Sequence, residues 1–279
     1  MPRKNPCRRI PAAWLLILIG IPFSVTAQIN GAQTGNLPGA PSASPSVSQS
    51  ATDATRTVSW TKLVPNLLSD QKQIWLFPRK LKKKKVLIPT LAVVGVTAAL
   101  IASDPTTGSY FRGSSSYSGF NTAFAGNHTS LGMLIAPLAM YGAGLIKRNS
   151  KLQQTALLAG EAVAGSEILT TIFKDVDRRL RPRAVPIGGN FSDTWFEDNT
   201  NNFHSNGSFP SGHAIAAFSI ATVVARQYGK EHKWVPWVAY GLAAAIGFSR
   251  MTLSAHFTSD VFMGAALGYS ISRFVVLRQ

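Results

Sequence analysis

Two histidines in the second half of the chain have neighbours that could support phosphoryl transfer. The first is His213, which follows Pro210-Ser211-Gly212 and precedes the apolar run 214–224. Ser211 is a typical N-cap and Gly212 lets a ligand approach the backbone, so the free N–H groups of the helix start would face an anion. Ser-Gly-His also occurs on ordinary capped helices, so this interpretation depends on partners elsewhere in the chain.

The second histidine, His256, is followed four residues later by Asp260. On a helix this spacing puts both side chains on one face, where Asp260 would hold one ring nitrogen and leave the other free as a nucleophile. Arg250 precedes them and carries a planar guanidinium that suits phosphate. A His–Asp pair can also be half of a metal site, but no further His or carboxylate lies nearby in the sequence to complete one. We therefore predict no metal ion.

A third cluster supplies two more cations, Lys174 and Arg181, the latter followed by Pro182. Their separation of seven residues is nearly two helical turns, so a helical backbone would place both on one face. Taken alone, basic residues at a helix end more often interact with its dipole and its last carbonyls. The cluster therefore becomes informative only together with the two histidines.

Together these clusters resemble the signature of the type 2 phosphatidic acid phosphatase (PAP2) and vanadium haloperoxidase superfamily, which includes bacterial acid phosphatases. Its three parts are K-x6-R-P, P-S-G-H and S-R-x5-H-x3-D. The sequence matches them without departure at Lys174 to Pro182, Pro210 to His213 and Ser249 to Asp260. The resemblance covers about residues 86–276 and implies the helical core of that family.

The resemblance also implies a role for each residue. His256 would attack phosphorus and form a phosphohistidine, Asp260 would orient its ring, and His213 would protonate the leaving oxygen and then activate water. The non-bridging oxygens would be held by Lys174, Arg181, Ser211, the backbone N–H of Gly212, and Arg250. Three fixed cations can neutralise one phosphate without a metal or another cofactor. We therefore expect a metal-independent phosphatase for a phosphate monoester or diphosphate.

Composition narrows the class of protein. The chain has 279 residues, of which 46% are hydrophobic and 14% are charged, which excludes a disordered or collagen-like protein over most of its length. Its single cysteine, Cys7, excludes a disulfide scaffold and a cysteine-based zinc or iron–sulfur site. The formal charge of +16 indicates an anionic partner, whether nucleic acid, anionic lipid or phosphorylated substrate.

The sequence divides into four parts. Residues 1–27 have the basic start, apolar stretch and small residues of a secretory signal peptide, with an uncleaved membrane anchor as the alternative. Residues 28–58 are rich in Ser, Pro and Thr and predict a disordered linker. Residues 59–85 join an amphipathic stretch to a basic run that could flank anionic lipid. Residues 86–279 would form the PAP2-like phosphatase domain.

Six apolar segments within that domain predict an all-α bundle of about six helices. Each is too long for a strand, and no alternating run rich in Val, Ile and Thr is present in the sequence. We expect Asp104-Pro105 to end the first helix, a capping box at 150–153 to begin the third, and Gly229 to end the fourth. The segments are 86–103, 129–147, 152–175, 211–228, 234–250 and 257–276.

The sequence favours a bundle embedded in a membrane. The first two segments are charge-free over 18 residues, near the length of a span. Glu161 and Glu167 in the third would then have to face the bundle interior. A soluble, exported helical domain is the alternative.

Loop charges predict an orientation. The basic loops would all lie on one side, which is cytoplasmic by the positive-inside rule, so the site would face the periplasm. A cleaved signal conflicts with this, because residue 28 would start outside and six spans would invert the arrangement. Either 63–77 also crosses, or the bundle does not fully span. The basic stretches are 79–85, 147–151, 226–233 and 273–278.

The expected substrate is a lipid phosphate of the cell envelope. The alternatives are a soluble periplasmic acid phosphatase and a vanadate-dependent haloperoxidase, since vanadate could occupy the same anion site. A basic protein that binds a membrane or nucleic acid without catalysis would also account for the net positive charge, but export argues against nucleic acid as the partner. The long polar loop 183–209 is expected to cover the site and influence the leaving group, with a flexible connection as the alternative.

Overall fold

The computed structural model describes residue 56, residues 58–197 and residues 207–278. These residues form nine α-helices and no strand, so the prediction of an all-α fold is confirmed. The predicted signal peptide and nearly all of the predicted linker lie outside the described residues, as does part of the loop 183–209. The helices are α1 (Leu63–Trp75), α2 (Phe77–Lys80), α3 (Lys84–Gly113), α4 (Ser118–Ala123), α5 (Gly126–Ile146), α6 (Ser150–Asp177), α7 (Gly212–Tyr228), α8 (Val235–Thr252) and α9 (Thr258–Ile271).

The six apolar segments correspond to the six long helices α3 and α5 to α9, but two predicted boundaries are wrong. Helix α3 continues through Pro105 to Gly113, because Asp104 is fully buried and contacts α9, and this packing outweighs the backbone hydrogen bond that proline removes. Helix α6 begins one residue after Asn149, whose side chain accepts from the Leu152 N–H, so the cap is an asparagine and not Ser150.

Helix α7 is the central element and is buried along most of its length. On one side Val223 shares a core with Leu158 of α6 and Ile271 of α9. On the other side Phe218 packs in a second cluster with Ile246 of α8. The short connections between α5 and α6 and between α7 and α8 make each pair an antiparallel hairpin.

The start of α9 packs closely on the start of α7. A Cβ atom at Gly264 would lie 2.6 Å from the carbonyl oxygen of Ser211, so only glycine permits this approach. The Ser211 N–H donates to the carbonyl of Asp260 at 3.0 Å. This contact brings the predicted second and third motifs together.

Three of the described helices are long and apolar enough to cross a membrane: α3, α5, and α6 with its extension to Ala184. Helices α3 and α5 leave large apolar side chains exposed, including Leu91 at 58% and Leu134 at 65%. Exposed apolar side chains on helices of this length suit contact with lipid.

The predicted site residues gather at one end of this bundle. The start of α5 contacts the start of α7 through Ser130 and His213, and α3 contacts the start of α9 through Asp104 and Ser259. The end of α8 contacts residue 124, just before α5, through Arg250.

By connectivity, the basic stretches 79–85, 147–151 and 230–233 belong to the opposite ends of these helices.

Candidate active site

His256 lies in the connection between α8 and α9, two residues before α9 begins. The expectation that one helical turn stacks His256 on Asp260 is therefore wrong. Asp260 lies in the first turn of α9 and folds back to accept the Phe257 N–H at 2.8 Å, because the first amides of a helix need acceptors. This cap brings the Asp260 Oδ2 within 3.7 Å of the His256 Nδ1, beyond ordinary hydrogen-bond distance.

The backbone carbonyl of Ser208 makes the closest polar contact with the His256 ring, 2.7 Å from Nδ1. A carbonyl can only accept, so Nδ1 carries the proton and Nε2 keeps its lone pair. His256 is 3% exposed, and burial lowers the pKa of its imidazole to about 4, although Asp260 acts in the opposite direction. The ring is therefore neutral at neutral pH, as a nucleophile must be.

Ser208 also connects the ring to the carboxylate. Its hydroxyl donates to Asp260 Oδ2 at 2.5 Å while its carbonyl accepts from His256. Asp260 therefore contacts the His256 ring mainly by way of Ser208, and not through the direct hydrogen bond that the resemblance implies. Sequence analysis missed Ser208, although its place two residues before the Pro-Ser-Gly-His motif was a usable signal.

Arg179 and Asp104 are two further residues that sequence analysis did not assign. Arg179 is 1% exposed and donates to Asp260 Oδ1 at 2.6 Å and to Asp104 Oδ2 at 2.8 Å. Arg179 occupies an open position of the K-x6-R-P motif, and Asp104 was interpreted only as a helix end. Asp104 is the one acidic residue between 84 and 113, and a single carboxylate in an apolar helix was the available signal.

His213 lies in the first turn of α7, as predicted, with Ser211 as the N-cap. The Ser211 hydroxyl accepts from the Ala214 N–H at 3.4 Å. The His213 Nε2 lies 2.8 Å from the Ser130 hydroxyl and 3.3 Å from the Gly126 carbonyl, both on the first turns of α5. The sequence contained no motif that pointed to this part of α5.

Lys174 and Arg181 do not share one helical face, contrary to the expectation. Helix α6 ends at Asp177, where Arg178 adopts a left-handed φ of 44°, and Arg181 caps a short turn at Pro182–Ala184. The two cations nevertheless lie close enough to act electrostatically on both His213 and His256.

Arg250 completes the cluster of cations. It lies in the last turn of α8, is 2% exposed, donates through Nη2 to the Phe124 carbonyl and to the Ser249 hydroxyl, and acts electrostatically on His213. A Cβ atom on Gly126 would lie 3.4 Å from the Arg250 Nη1, which places the guanidinium beside the start of α5 that faces His213. The structure thus gathers two histidines and three cations from all three motifs.

Within the described residues, no group of three or more His, Cys, Asp or Glu side chains could hold a metal ion. Asp260 is committed to Arg179, Ser208 and the Phe257 amide, which leaves it poorly placed to serve as a ligand. Absence of a metal requirement stays a prediction.

The C-terminal part of the chain matches the model of a known family. Residues 155–279 match the model of the PAP2 superfamily, and this segment contains all three motifs. The match covers less than half of the 279 residues of the chain.

Two relatives are lipid phosphatases by name. The chain is 41% identical over 61 residues to a lipid A 1-phosphatase of Porphyromonas gingivalis, covering 22% of this chain and 14% of that relative. It is 30% identical over 108 residues to phosphatidylglycerophosphatase B of Bacillus subtilis, covering 36% and 46%. The chain therefore matches less than half the length of either relative.

A solved structure provides a third comparison. A transmembrane PAP2-type phosphatidylglycerolphosphate phosphatase from Bacillus subtilis aligns with 77% of this chain and 92% of that chain. The sequence identity is 21% and the TM-score is 0.39. The all-α fold class is therefore assigned from the helices of the present structure and not from this alignment.

Proposed function

We propose that this protein is a metal-independent phosphatase that hydrolyses a lipid phosphate monoester or diphosphate through a phosphohistidine. The observation that supports this most directly is the state of His256. Its Nδ1 is committed to the Ser208 carbonyl, its ring is neutral, and the cations Lys174 and Arg181 act on it and on His213 alike. A neutral imidazole with one free nitrogen beside cations suits nucleophilic attack on a phosphate.

The proposed reaction has two steps. In the first, the His256 Nε2 attacks phosphorus, the bond from phosphorus to the leaving oxygen breaks, and His213 gives a proton to that oxygen. His213 would carry this proton when the anionic substrate is bound, because a nearby anion favours the imidazolium. In the second, His213 takes a proton from water, the water oxygen attacks phosphorus, and the bond to Nε2 breaks. Inorganic phosphate leaves and both histidines return to their starting states.

The cations and the start of α7 would hold the phosphate during both steps. Lys174, Arg181 and Arg250 would neutralise the non-bridging oxygens, and the Gly212 N–H would add a helix-terminal donor. Gly212 leaves open space that a side chain would reduce, since a Cβ atom there would meet Thr170 at 3.5 Å and Glu167 at 3.6 Å.

A lipid substrate is supported by the helices around the site. Three of the described helices could cross a membrane, and α3 and α5, which both reach the end of the bundle that holds the site, expose apolar side chains. The related sequences are named for the phosphate groups of lipid A and of phosphatidylglycerophosphate. A lipid in the bilayer could therefore present its phosphate to the site while its chains stay among these helices.

The test is phosphate release by the purified full chain in detergent, with dioctanoyl phosphatidate and p-nitrophenyl phosphate as substrates. We expect lipid turnover that resists EDTA, disappears in His256→Ala, and leaves an acid-labile phosphoenzyme after rapid quenching. Turnover of only the small ester would favour a soluble-type acid phosphatase. Halide oxidation on addition of vanadate, with no phosphate release, would favour a haloperoxidase instead.

We also propose that the protein is exported and that its site faces the periplasm. The site lies at the end of the bundle opposite the basic loops, as the positive-inside rule requires. In a Cys7→Ser background, an impermeant thiol reagent applied to intact cells should label Ser192→Cys and leave Lys82→Cys unlabelled. The reverse pattern would contradict this orientation.

A further inference from the structure

The Arg179 guanidinium has four polar side chains as partners. Its Nη1 donates to Asp260 Oδ1 at 2.6 Å and to the Ser259 hydroxyl at 2.9 Å, and its Nη2 donates to Asp104 Oδ2 at 2.8 Å. The third nitrogen, Nε, lies 3.4 Å from the Thr194 hydroxyl. All three nitrogens are therefore engaged in fixed directions.

Two aromatic rings hold the guanidinium from its faces. Its central carbon lies 4.4 Å from the Trp195 ring centroid and 4.1 Å from the Phe257 ring centroid. A planar cation between two rings can neither tilt nor slide easily, and exclusion of water strengthens its charge interactions. Arginine suits this place and lysine does not, because one ammonium cannot bridge two carboxylates and stack on rings.

The backbone of Arg179 holds the other partner of His256. The Arg179 carbonyl accepts the Ser208 N–H at 2.7 Å, and the Ser208 carbonyl in turn accepts from His256 Nδ1. The side chain fixes Asp260 while the main chain fixes Ser208. One residue thus fixes both Asp260 and Ser208, the two residues beside the His256 Nδ1.

We propose that Arg179 is a positioning residue for the phosphoryl transfer proposed above. Its guanidinium anchors Oδ1 of Asp260, so that Oδ2 stays on the Ser208 hydroxyl and the Phe257 amide and does not close onto His256. It also offsets the negative charge that Asp260 presents to the ring. This inference rests on the proposed function for its catalytic meaning.

Arg179→Gln has a predictable direction of effect on His256. The charged groups that face the ring are Asp260, Arg181 and Lys174. Without Arg179 the Asp260 carboxylate is free to approach the ring and less of its charge is offset, so the pKa of His256 should rise. The acid limb of kcat/KM should then move to higher pH, and kcat should fall about 100-fold at neutral pH because the ring loses its fixed position.

Two further variants separate charge, geometry and stability. Arg179→Lys keeps the charge without the fork, so it should leave the acid limb near that of the wild type and still lower kcat about tenfold. Arg56→Gln is the matched control, because Arg56 also lies between two carboxylates, Asp70 and Glu161, with its side chain 12% exposed. None of these three residues contacts His256 among the described residues. Arg56→Gln should lower the Tm and leave kcat within twofold.

The experiment measures kcat, pH profile and Tm for these four proteins in detergent with dioctanoyl phosphatidate, together with the histidine NMR titration of the wild type and Arg179→Gln. Support requires a higher pKa of His256 and a loss of kcat in Arg179→Gln that the control does not share. An acid limb that stays or moves to lower pH, with a loss of Tm like that of Arg56→Gln, would make Arg179 purely structural. A wild type without turnover would refute the proposed function, while the NMR titration would still test whether Arg179 controls His256.

Discussion

Two arginines in this protein each lie between two carboxylates but have different surroundings. Arg179 lies between Asp104 and Asp260 at 2.8 and 2.6 Å, and Arg56 lies between Asp70 and Glu161 at 2.8 and 2.5 Å. We call the first the site network and the second the clasp network. Two carboxylates around one arginine give each trio the same formal charge.

The difference lies in what surrounds the ions. In the site network, Asp260 also accepts from the Ser208 hydroxyl and the Phe257 amide, and Asp104 accepts from the Ser259 amide at 3.2 Å. In the clasp network, the second carboxylate oxygen of Glu161 has no hydrogen-bond partner among the described residues. A buried ion pair is therefore no mark of a catalytic site by itself. The connection to a histidine distinguishes the two networks.

The two networks also join different parts of the chain. The site network joins α3, the end of α6 and the start of α9 around His256. The clasp network joins residue 56, α1 and the middle of α6, and Arg278 near the C-terminus adds a contact with Asp70 at 3.4 Å. We infer that the clasp network holds α1 on the bundle. Matched substitutions in the two networks should therefore separate activity from stability.

Asp260→Asn should give the largest contrast. It removes the charge that Arg179 and the Ser208 hydroxyl bind, but the Ser208 carbonyl still holds Nδ1 and keeps the tautomer. We expect kcat to fall about 100-fold, well below the loss of about 10⁴ that follows when a carboxylate alone sets the tautomer. The matched variant Asp70→Asn should keep kcat within twofold and lower the Tm. Equal kcat in both variants would remove the distinction between the networks.

Asp104→Asn should have the next largest effect. The substitution weakens the anchor of Arg179 and the contacts with Ser259, so kcat should fall about 30-fold by loss of position alone. Asp104 lies outside residues 155–279, so this variant tests whether α3 is part of the working site. Glu161→Gln, on the clasp network, is the control and should change the Tm only. Wild-type kcat in Asp104→Asn would confine the site to the C-terminal segment.

Stability should depend on pH through the site network. The pKa of folded His256 is about 4 and its ordinary value is 6.5, so between these values the unfolded chain binds the proton first. The contribution of His256 to the unfolding free energy should therefore fall as pH falls from 6.5 to 4, by up to about 1.4 kcal/mol per pH unit. Denaturation in detergent at pH 7 and pH 4.5 measures the slope. His256→Gln removes this contribution, so its unfolding free energy should change less steeply in that direction than that of the wild type, and an equal slope in the two proteins would contradict the assignment.

Local features of the site could be predicted from sequence because they depend on neighbours along the chain. The Ser211 cap and the placement of His213 on the first turn of α7 follow from a few adjacent residues. The six long helices follow from long apolar runs, which tolerate errors of a turn at either end. Packing explains why the predicted end of α3 is wrong, since burial of Asp104 keeps this helix intact through Pro105.

Contacts between distant residues could not be predicted in this way. Ser208 and His256 are 48 residues apart, and Asp104 and Ser259 are 155 apart. Spacing rules for a helix relate residues within about two turns and carry no information on such pairs. The Lys174 and Arg181 prediction failed for a different reason. The two residues are within two turns of each other, but the helix ends between them, although the cations do act together.

Ser208→Ala should give the smallest effect on activity and separates the two roles of this residue. The substitution removes the hydroxyl that donates to Asp260 at 2.5 Å but keeps the carbonyl that holds His256 Nδ1 at 2.7 Å. One lost hydrogen bond of about 1 kcal/mol corresponds to a fall in kcat of about fivefold. Ser219→Ala is the control, since that buried hydroxyl contacts Ser166 and the Gly268 carbonyl within the core. A loss in Ser208→Ala as large as that in Asp260→Asn would show that the hydroxyl, and not the carbonyl, sets the position of the ring.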